Sequence, residues 1–196
     1  MANNLMFRKL RADEIDCRVG TINEKGLTLL LYKDARCDMN VLDETVGPYN
    51  WQRHHSRDNA NCVVAIFDKD KNQWVEKEDV GTESNTEAEK GIASDSFKRA
   101  CFNWGIGREL YTSPFIWIPA DKYKSVMKGN KYATYDKFVV EKITYTPTGE
   151  IDGLSIINKT QNTRVFVQRP QYQDESAPVE THNTKEAIIK ALKAKK

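Results

Sequence analysis

The sequence predicts an α+β fold: an antiparallel β-meander packed against a long helix, with additional C-terminal strands and a flexible tail. Three observations predict it. The segments Trp51–Asp58, Cys62–Phe67 and Gln73–Val80 follow one another across polar turns, Asp68-Lys69-Asp70-Lys71-Asn72 among them, which is how a meander reads. Directly afterwards Ala93, Phe97, Ala100 and Trp104 recur at three- and four-residue steps, giving one apolar stripe along a helix. Residues 137–168 then hold three more strand candidates before the composition turns to Gln, Asp, Glu, Ser and Pro. A chain of 196 residues can bury one ordinary core. The predicted division is therefore a single domain over 1–168, a disordered linker over 169–183 and a short basic segment over 184–196.

Taken in order, Leu5 to Arg18 mixes apolar and charged residues at helical spacing and predicts a short helix broken by Gly20. Asn23 to Gly26 reads as a turn. Leu27–Tyr32 is continuously apolar apart from Thr28, which predicts a strand buried largely on both faces. A second helix is predicted over Ala35–Val46, with Met39, Leu42 and Val46 on one side, stopped by Gly47-Pro48. The long helix opens within Val80–Gly107, where Ser84-x-x-Glu87 and Thr86-x-x-Glu89 fit reciprocal capping boxes. It closes on Gly105 and Gly107, residues that leave a helix through positive φ at little cost. Phe115–Ile118 predicts a strand ending at Pro119, Asp121–Met127 a helical turn, and Gly129-Asn130 a loop. Strands Lys137–Tyr145, Ile151–Ile157 and Arg164–Gln168 follow. In the tail Thr184 precedes KEAIIKALKAKK, which groups Ile188, Ile189 and Leu192 among lysines.

Charge and motif content exclude several classes. Charged residues make up 30% of the chain, yet the formal net charge is only +2. Any nucleic-acid surface must therefore come from local clustering. No GxxxxGK[ST] occurs and no GxGxxG lies between a strand and a helix, so no nucleotide cofactor is predicted. His54 and His55 are neighbours on a strand and point to opposite faces, an arrangement ill suited to sharing one metal ion. Cys17, Cys37, Cys62 and Cys101 are widely spaced with no CxxC, as expected for reduced thiols. The start MANNLMFRKLRAD holds no apolar run long enough for a signal peptide, and Leu27–Tyr32 is too short to cross a bilayer. A cytoplasmic chain that is not an enzyme, without metal or cofactor, is the resulting expectation.

Two stretches carry candidate binding residues. Lys98 and Arg99 lie off the apolar stripe, in the later turns of the long helix. They read either as cations carried to a ligand or as a solvated face, favoured by the helix dipole and by Asp95 four residues before Arg99. On strand Trp51–Asp58, alternation puts Trp51, Arg53, His55 and Arg57 on one face. That face suits a nucleic-acid backbone with occasional stacking. Equally, Trp51 packs in the core while the arginines pair with Glu76 and Glu78 of the third strand.

The order of these features resembles a known family. Gly47-Pro48-Tyr49-Asn50-Trp51 begins the meander, Glu78-Asp79-Val80-Gly81 ends it, and Asp95-Ser96-Phe97-Lys98-Arg99-Ala100 lies on a helix finishing in Trp104-Gly105. From Ala35 to Gly107 the chain is similar to the Rad-fifty-two superfamily of single-strand annealing proteins, in its phage and bacterial Sak and DdrA-like branch. The resemblance implies an ATP-independent protein of DNA recombination and repair that binds single-stranded DNA and the annealed duplex intermediate. It implies a homo-oligomer, a ring or helical filament, in the cytoplasm of a bacterial or phage-infected cell, with a single-strand binding protein as a partner. It assigns DNA contact to Lys98 and Arg99, and also to Lys90. Two positions depart from the family: a further arginine is replaced by Phe102, and an earlier one falls at Cys37 beside Arg36. Arg36, Arg53 and Arg57 would then complete the groove. A metal-dependent nuclease in the same context, and an adaptor that recruits a partner through its basic tail, are the competing expectations.

Overall fold

The computed structural model describes residues 5–82 and 88–172, apart from the side chains of residues 88–90. The predicted capping boxes, most of the linker and the basic tail segment lie outside the described residues. The fold is mixed α+β, with antiparallel sheets and two α-helices among the described residues. In chain order the elements are β1 (Asp16–Asn23), β2 (Gly26–Tyr32), α1 (Ala35–Val46), β3 (Trp51–Ser56), β4 (Asn61–Asp68) and β5 (Gln73–Val80). Then come α2 (Ala88–Trp104), β6 (Ile116–Pro119), β7 (Val126–Lys128), β8 (Lys131–Ala133), β9 (Phe138–Tyr145), β10 (Ile151–Asn158) and β11 (Thr163–Gln168). Strands β11-β10-β9-β1-β2-β6 form one sheet, β3-β4-β5 a second, and β7-β8 a hairpin. The first sheet thus joins both ends of the domain, through the pairing of Asp16 with Val139.

The predicted helix over Leu5–Arg18 is corrected: the chain there passes through a single 3-10 turn, Ala12–Glu14, and enters β1. Cys17, Val19 and Ile22 are half-buried between exposed neighbours, and β1 pairs with β2 from Asp16↔Tyr32 to Asn23↔Gly26. Period-two burial paired to a partner strand outweighs weak local helix propensity. Gly20 is a strand residue beside the register shift between Val19 and Ile22. A Cβ there would sit 2.9 Å from Thr28 Oγ1, so the glycine permits close approach at a bulge and breaks no helix. Strand β2 is buried over Gly26, Leu27 and Leu29, but Leu30 and Tyr32 are exposed, so only its first half meets the two-sided expectation. The helical turn predicted at Asp121–Met127 shrinks to a 3-10 turn at Ala120–Lys122 before β7.

Helix α1 has the predicted bounds because both ends are capped. Asp34 accepts a hydrogen bond from the Cys37 N–H at 2.9 Å, and Gly47 leaves the helix at φ +88. The linker's first residues are held: the N–H groups of Gln171 and Tyr172 donate to the Asp152 carboxylate on β10.

One hydrophobic core gathers residues from both larger sheets and both helices, including Leu27, Leu42, Val64, Phe97, Ile118 and Ile156. On β4, Cys62, Val64 and Ile66 are buried. On α2, Phe97, Ala100 and Cys101 are buried, and the indole of half-buried Trp104 donates to Val64 O at 2.9 Å. The chain leaving β5 comes so near α2 that only glycine fits. A Cβ on Gly81 would lie 2.5 Å from Ser96 N and 2.7 Å from Ile92 O. Backbone atoms of a helix cannot move aside as a flexible side chain can. Gly81→Ala is expected to lower the unfolding free energy by about 1–3 kcal/mol, the range for overpacking, measured by urea denaturation.

Candidate nucleic-acid interface

The residues after α2 are turned by a 3-10 helix, Arg108–Thr112, entered from Gly107 at φ +77. In this geometry side chains three apart lie on the same side. Glu109 takes the inner side, and Thr112, itself exposed, ties the turn to β10. Glu109 is buried and its carboxylate accepts the Leu10 N–H at 2.7 Å. Thr112 Oγ1 accepts the Ile151 N–H at 2.8 Å. These two anchors leave Arg108 and Tyr111 outward, with Tyr111 74% exposed.

Arg108 reaches back over the end of α2. Its Nε donates to Phe102 O at 2.6 Å and its terminal nitrogen to Asn103 O at 2.8 Å. From the sheet, Lys77 Nζ also donates to Asn103 O at 2.8 Å, and sits 4.5 Å over the Trp104 ring. Cationic donors on the last carbonyls satisfy groups the helix leaves open and complement its dipole. Phe102 holds the Tyr111 ring at a centroid distance of 5.1 Å, tilted by 54°. Arg99, Phe102, Asn103, Arg108, Tyr111 and Asp79 together line an open depression of about 400 Å³.

Asp79 is its acidic member. Its carboxylate pairs with Arg99 Nε at 3.3 Å and accepts from the Asn103 amide at 3.3 Å. The pair fixes the Arg99 guanidinium at the rim, while Nε is only one of its five N–H donors. The Arg99 side chain keeps 45% of its exposure.

The predicted site residues are distributed rather than gathered. Among the predicted residues whose side chains are described, Arg99 is the one that lines the depression. Lys98, one position earlier on α2 and so about 100° around the helix, is half-buried. Its charge helps hold the buried Asp38 carboxyl in its ionised form. The side chain of Lys90 lies outside the described residues. Arg53 stacks its guanidinium 4.8 Å over the Phe97 ring of α2, on the rim of the core.

That contact decides which way the predicted face of β3 points. Trp51 lies against the same Phe97 ring at 6.1 Å and donates its indole N–H to Asp43 at 2.6 Å. His55 is half-buried and lies 3.5 Å from Ser96 Oγ, its imidazole pKa lowered mainly by burial. The face turns towards α2. Pairing of its arginines with Glu76 and Glu78 is also corrected, because β4 lies between β3 and β5. Arg57 leaves the face altogether: β3 stops at Ser56, and Arg57, Asp58 and Asn59 all adopt left-handed φ of 51, 51 and 69°. Arg36, 83% exposed, pairs with the N-cap Asp34 at 2.9 Å at the start of α1.

Arg108 and Tyr111 were not singled out from the sequence. Their signal is a charged and an aromatic residue three apart, directly after a helix-stopping glycine, and it becomes readable only once a 3-10 turn is known there. Arg108 also places a guanidinium at the carbonyl of Phe102.

Other chemistry has less support among the described residues. No group of three or more His, Cys, Asp or Glu is placed to hold a metal ion. Burial pushes the thiols of Cys17 and Cys37 up to about 12 and that of Cys62 up to about 11, and it also raises Cys101. Thiols so raised carry negligible thiolate at neutral pH. No described helix is long and apolar enough to cross a membrane. No protein-family model matches this chain, and no curated protein and no solved structure matches it significantly.

Proposed function

We propose that this chain is an ATP-independent single-stranded DNA-binding protein that anneals complementary strands and works as an oligomeric ring or helical filament. In this reading β3, β4, β5 and α2 are the annealing core, with α2 as the long helix that backs the meander. The observation that carries it is the depression in which Arg99 and Arg108 flank the exposed Tyr111. Guanidinium groups suit phosphate oxygens, and an exposed aromatic ring beside them suits single-stranded rather than double-stranded nucleic acid. A nearly neutral chain, at +2, fits weak binding per subunit repeated around an assembly, where linked sites multiply into avidity. Holding phosphates while leaving most base edges free is what strand pairing requires.

The test uses two complementary labelled oligonucleotides, in EDTA and without nucleotide. The expected result is accelerated duplex formation at unchanged strand length, by a protein that elutes from size exclusion as a large assembly. Absence of single-strand binding in low-salt buffer overturns the reading. Shortened strands in Mg²⁺ or Mn²⁺ would replace it with the nuclease.

Asp79 supplies a test of sign. Its carboxylate competes with phosphate for Arg99 and repels the backbone. Asp79→Asn is therefore expected to tighten single-strand binding severalfold at low salt, with the gain shrinking as salt screens it. Fluorescence anisotropy across a salt series reads this directly.

A further inference from the structure

Tyr111 presents its ring beside the two guanidiniums but not as a flat platform open on both sides. One side leans on Phe102 at 5.1 Å, while the residue as a whole is 74% exposed. The depression, at about 400 Å³, lies near the small end of the roughly 300–1,000 Å³ typical of small-ligand sites. That is room for one nucleotide and not for a run of stacked bases. Arg108 projects from the same outward side of the 3-10 turn, and Arg99 faces it from α2. The amide nitrogen of Asn103 is already committed to Glu78 O at 2.8 Å and to the Asp79 carboxylate.

We infer that each subunit withdraws one nucleobase from the bound single strand and stacks it on Tyr111, with Arg99 and Arg108 holding the flanking phosphates; this rests on the single-strand reading above. Stacking is accepted by every base, since each has a π-face. With the Asn103 amide nitrogen engaged, the base contact this subsite relies on is the stack on Tyr111, which carries little sequence preference. One base per subunit is parked and the remainder stay available for pairing. The parked bases set a fixed register between strand and assembly.

The experiment compares full-length protein binding a labelled oligo-dT with an abasic oligonucleotide of equal length and charge, by fluorescence anisotropy. Wild type is expected to bind oligo-dT about 5- to 150-fold tighter, the range for one stacked base. Tyr111→Ala should erase that preference, lowering affinity for oligo-dT severalfold more than affinity for the abasic strand. Tyr111→Phe should keep it, because the ring and not the hydroxyl is used. Arg99→Ala should weaken both ligands by a similar factor. Equal wild-type affinity for the two ligands overturns the stacking subsite and leaves the backbone-binding reading standing. A preference that survives in Tyr111→Ala places the stacking elsewhere and likewise overturns it. Parallel loss of both affinities and of the thermal midpoint in Tyr111→Ala reduces Tyr111 to a structural residue. Failure of wild type to bind either ligand removes the single-strand reading and this subsite together.

Discussion

Alanine at Asp38 is expected to lower the unfolding free energy by about 3–5 kcal/mol, the cost of leaving one member of a buried ion pair without its partner. Lys33 is 1% exposed and Asp38 0%. The Lys33 ammonium pairs with Asp38 Oδ1, and the second carboxylate oxygen of Asp38 has no hydrogen-bond partner. The same ammonium stands 4.3 Å over the Phe102 ring. Its aliphatic stem fills the space where a Cβ on Gly107 would stand, 2.4 Å from Lys33 Cε. Once the carboxylate is removed, the charge is left facing an aromatic ring, which offsets only part of its lost hydration. Lys33→Met combined with Asp38→Ala is expected to be more stable than Asp38→Ala alone, since no uncompensated charge remains and the methionine stem fills the same channel. Urea denaturation of wild type, both single variants and the double variant closes the cycle. A loss under about 1 kcal/mol in Asp38→Ala would show the pair to be hydrated rather than buried.

The same pair gives a pH dependence of unusual sign. Burial raises the Asp38 carboxyl from 3.8 to about 6, against the opposing charges of Lys33 and Lys98. The folded chain therefore binds this proton more tightly than the unfolded chain. The stability it contributes is fully present below 3.8 and is lost as pH rises through about 6. Wild type should show that component and Asp38→Ala should not. Because Phe102 lies between Lys33 and Tyr111, the pair also supports the floor of the depression proposed to bind DNA.

Replacing Lys98 and Arg99 together by alanine is expected to weaken single-strand binding by on the order of a hundredfold, since a charged hydrogen bond contributes roughly 1.5–3 kcal/mol. The slope of log affinity against log salt should fall by about 0.7 for each phosphate that is no longer neutralised. The structure separates the two residues. Arg99 lines the depression at 45% side-chain exposure, whereas Lys98 is half-buried and its charge reaches Asp38. Arg99→Ala should carry most of the drop in binding. Lys98→Ala should shift stability as well, because it removes a charge that favours the ionised Asp38. Equal binding by the double variant and wild type would take the site away from α2.

How far the fold could be read from the sequence depended on whether the determining contacts were local. Helix α1 was legible at both ends because Asp34, Gly47 and Pro48 cap and stop it within a few residues. Strands β4 and β5 were legible because alternation and the polar Asp68–Asn72 turn are written into one continuous stretch. Strand β1 was misread because its Cys17, Val19 and Ile22 fit either period, and the deciding partner, β2, lies beyond a turn. The bend at Arg57 was missed because three consecutive left-handed residues without a glycine have no ordinary sequence mark. The candidate site shows the same division. Arg99 was found on its helix, but Arg108 and Tyr111 were not, because their common side exists only once the 3-10 turn is formed.

The amino-acid sequence by itself determined the α+β class, the bounds of α1 and most strands, and the adjacent Lys98 and Arg99 on α2, since each depends on periodicity, capping or a turn spanning a few residues. Only the tertiary structure decided that Arg53 and Trp51 turn inward onto Phe97, that Lys98 sits near a buried carboxylate, and that Arg108 and Tyr111 join Arg99 around one depression. The physical reason is that the direction of a side chain is set by what the opposite surface leaves open. That surface is supplied by residues far away in the chain, such as Phe97 for Trp51 and Leu10 and Ile151 for the turn that carries Tyr111.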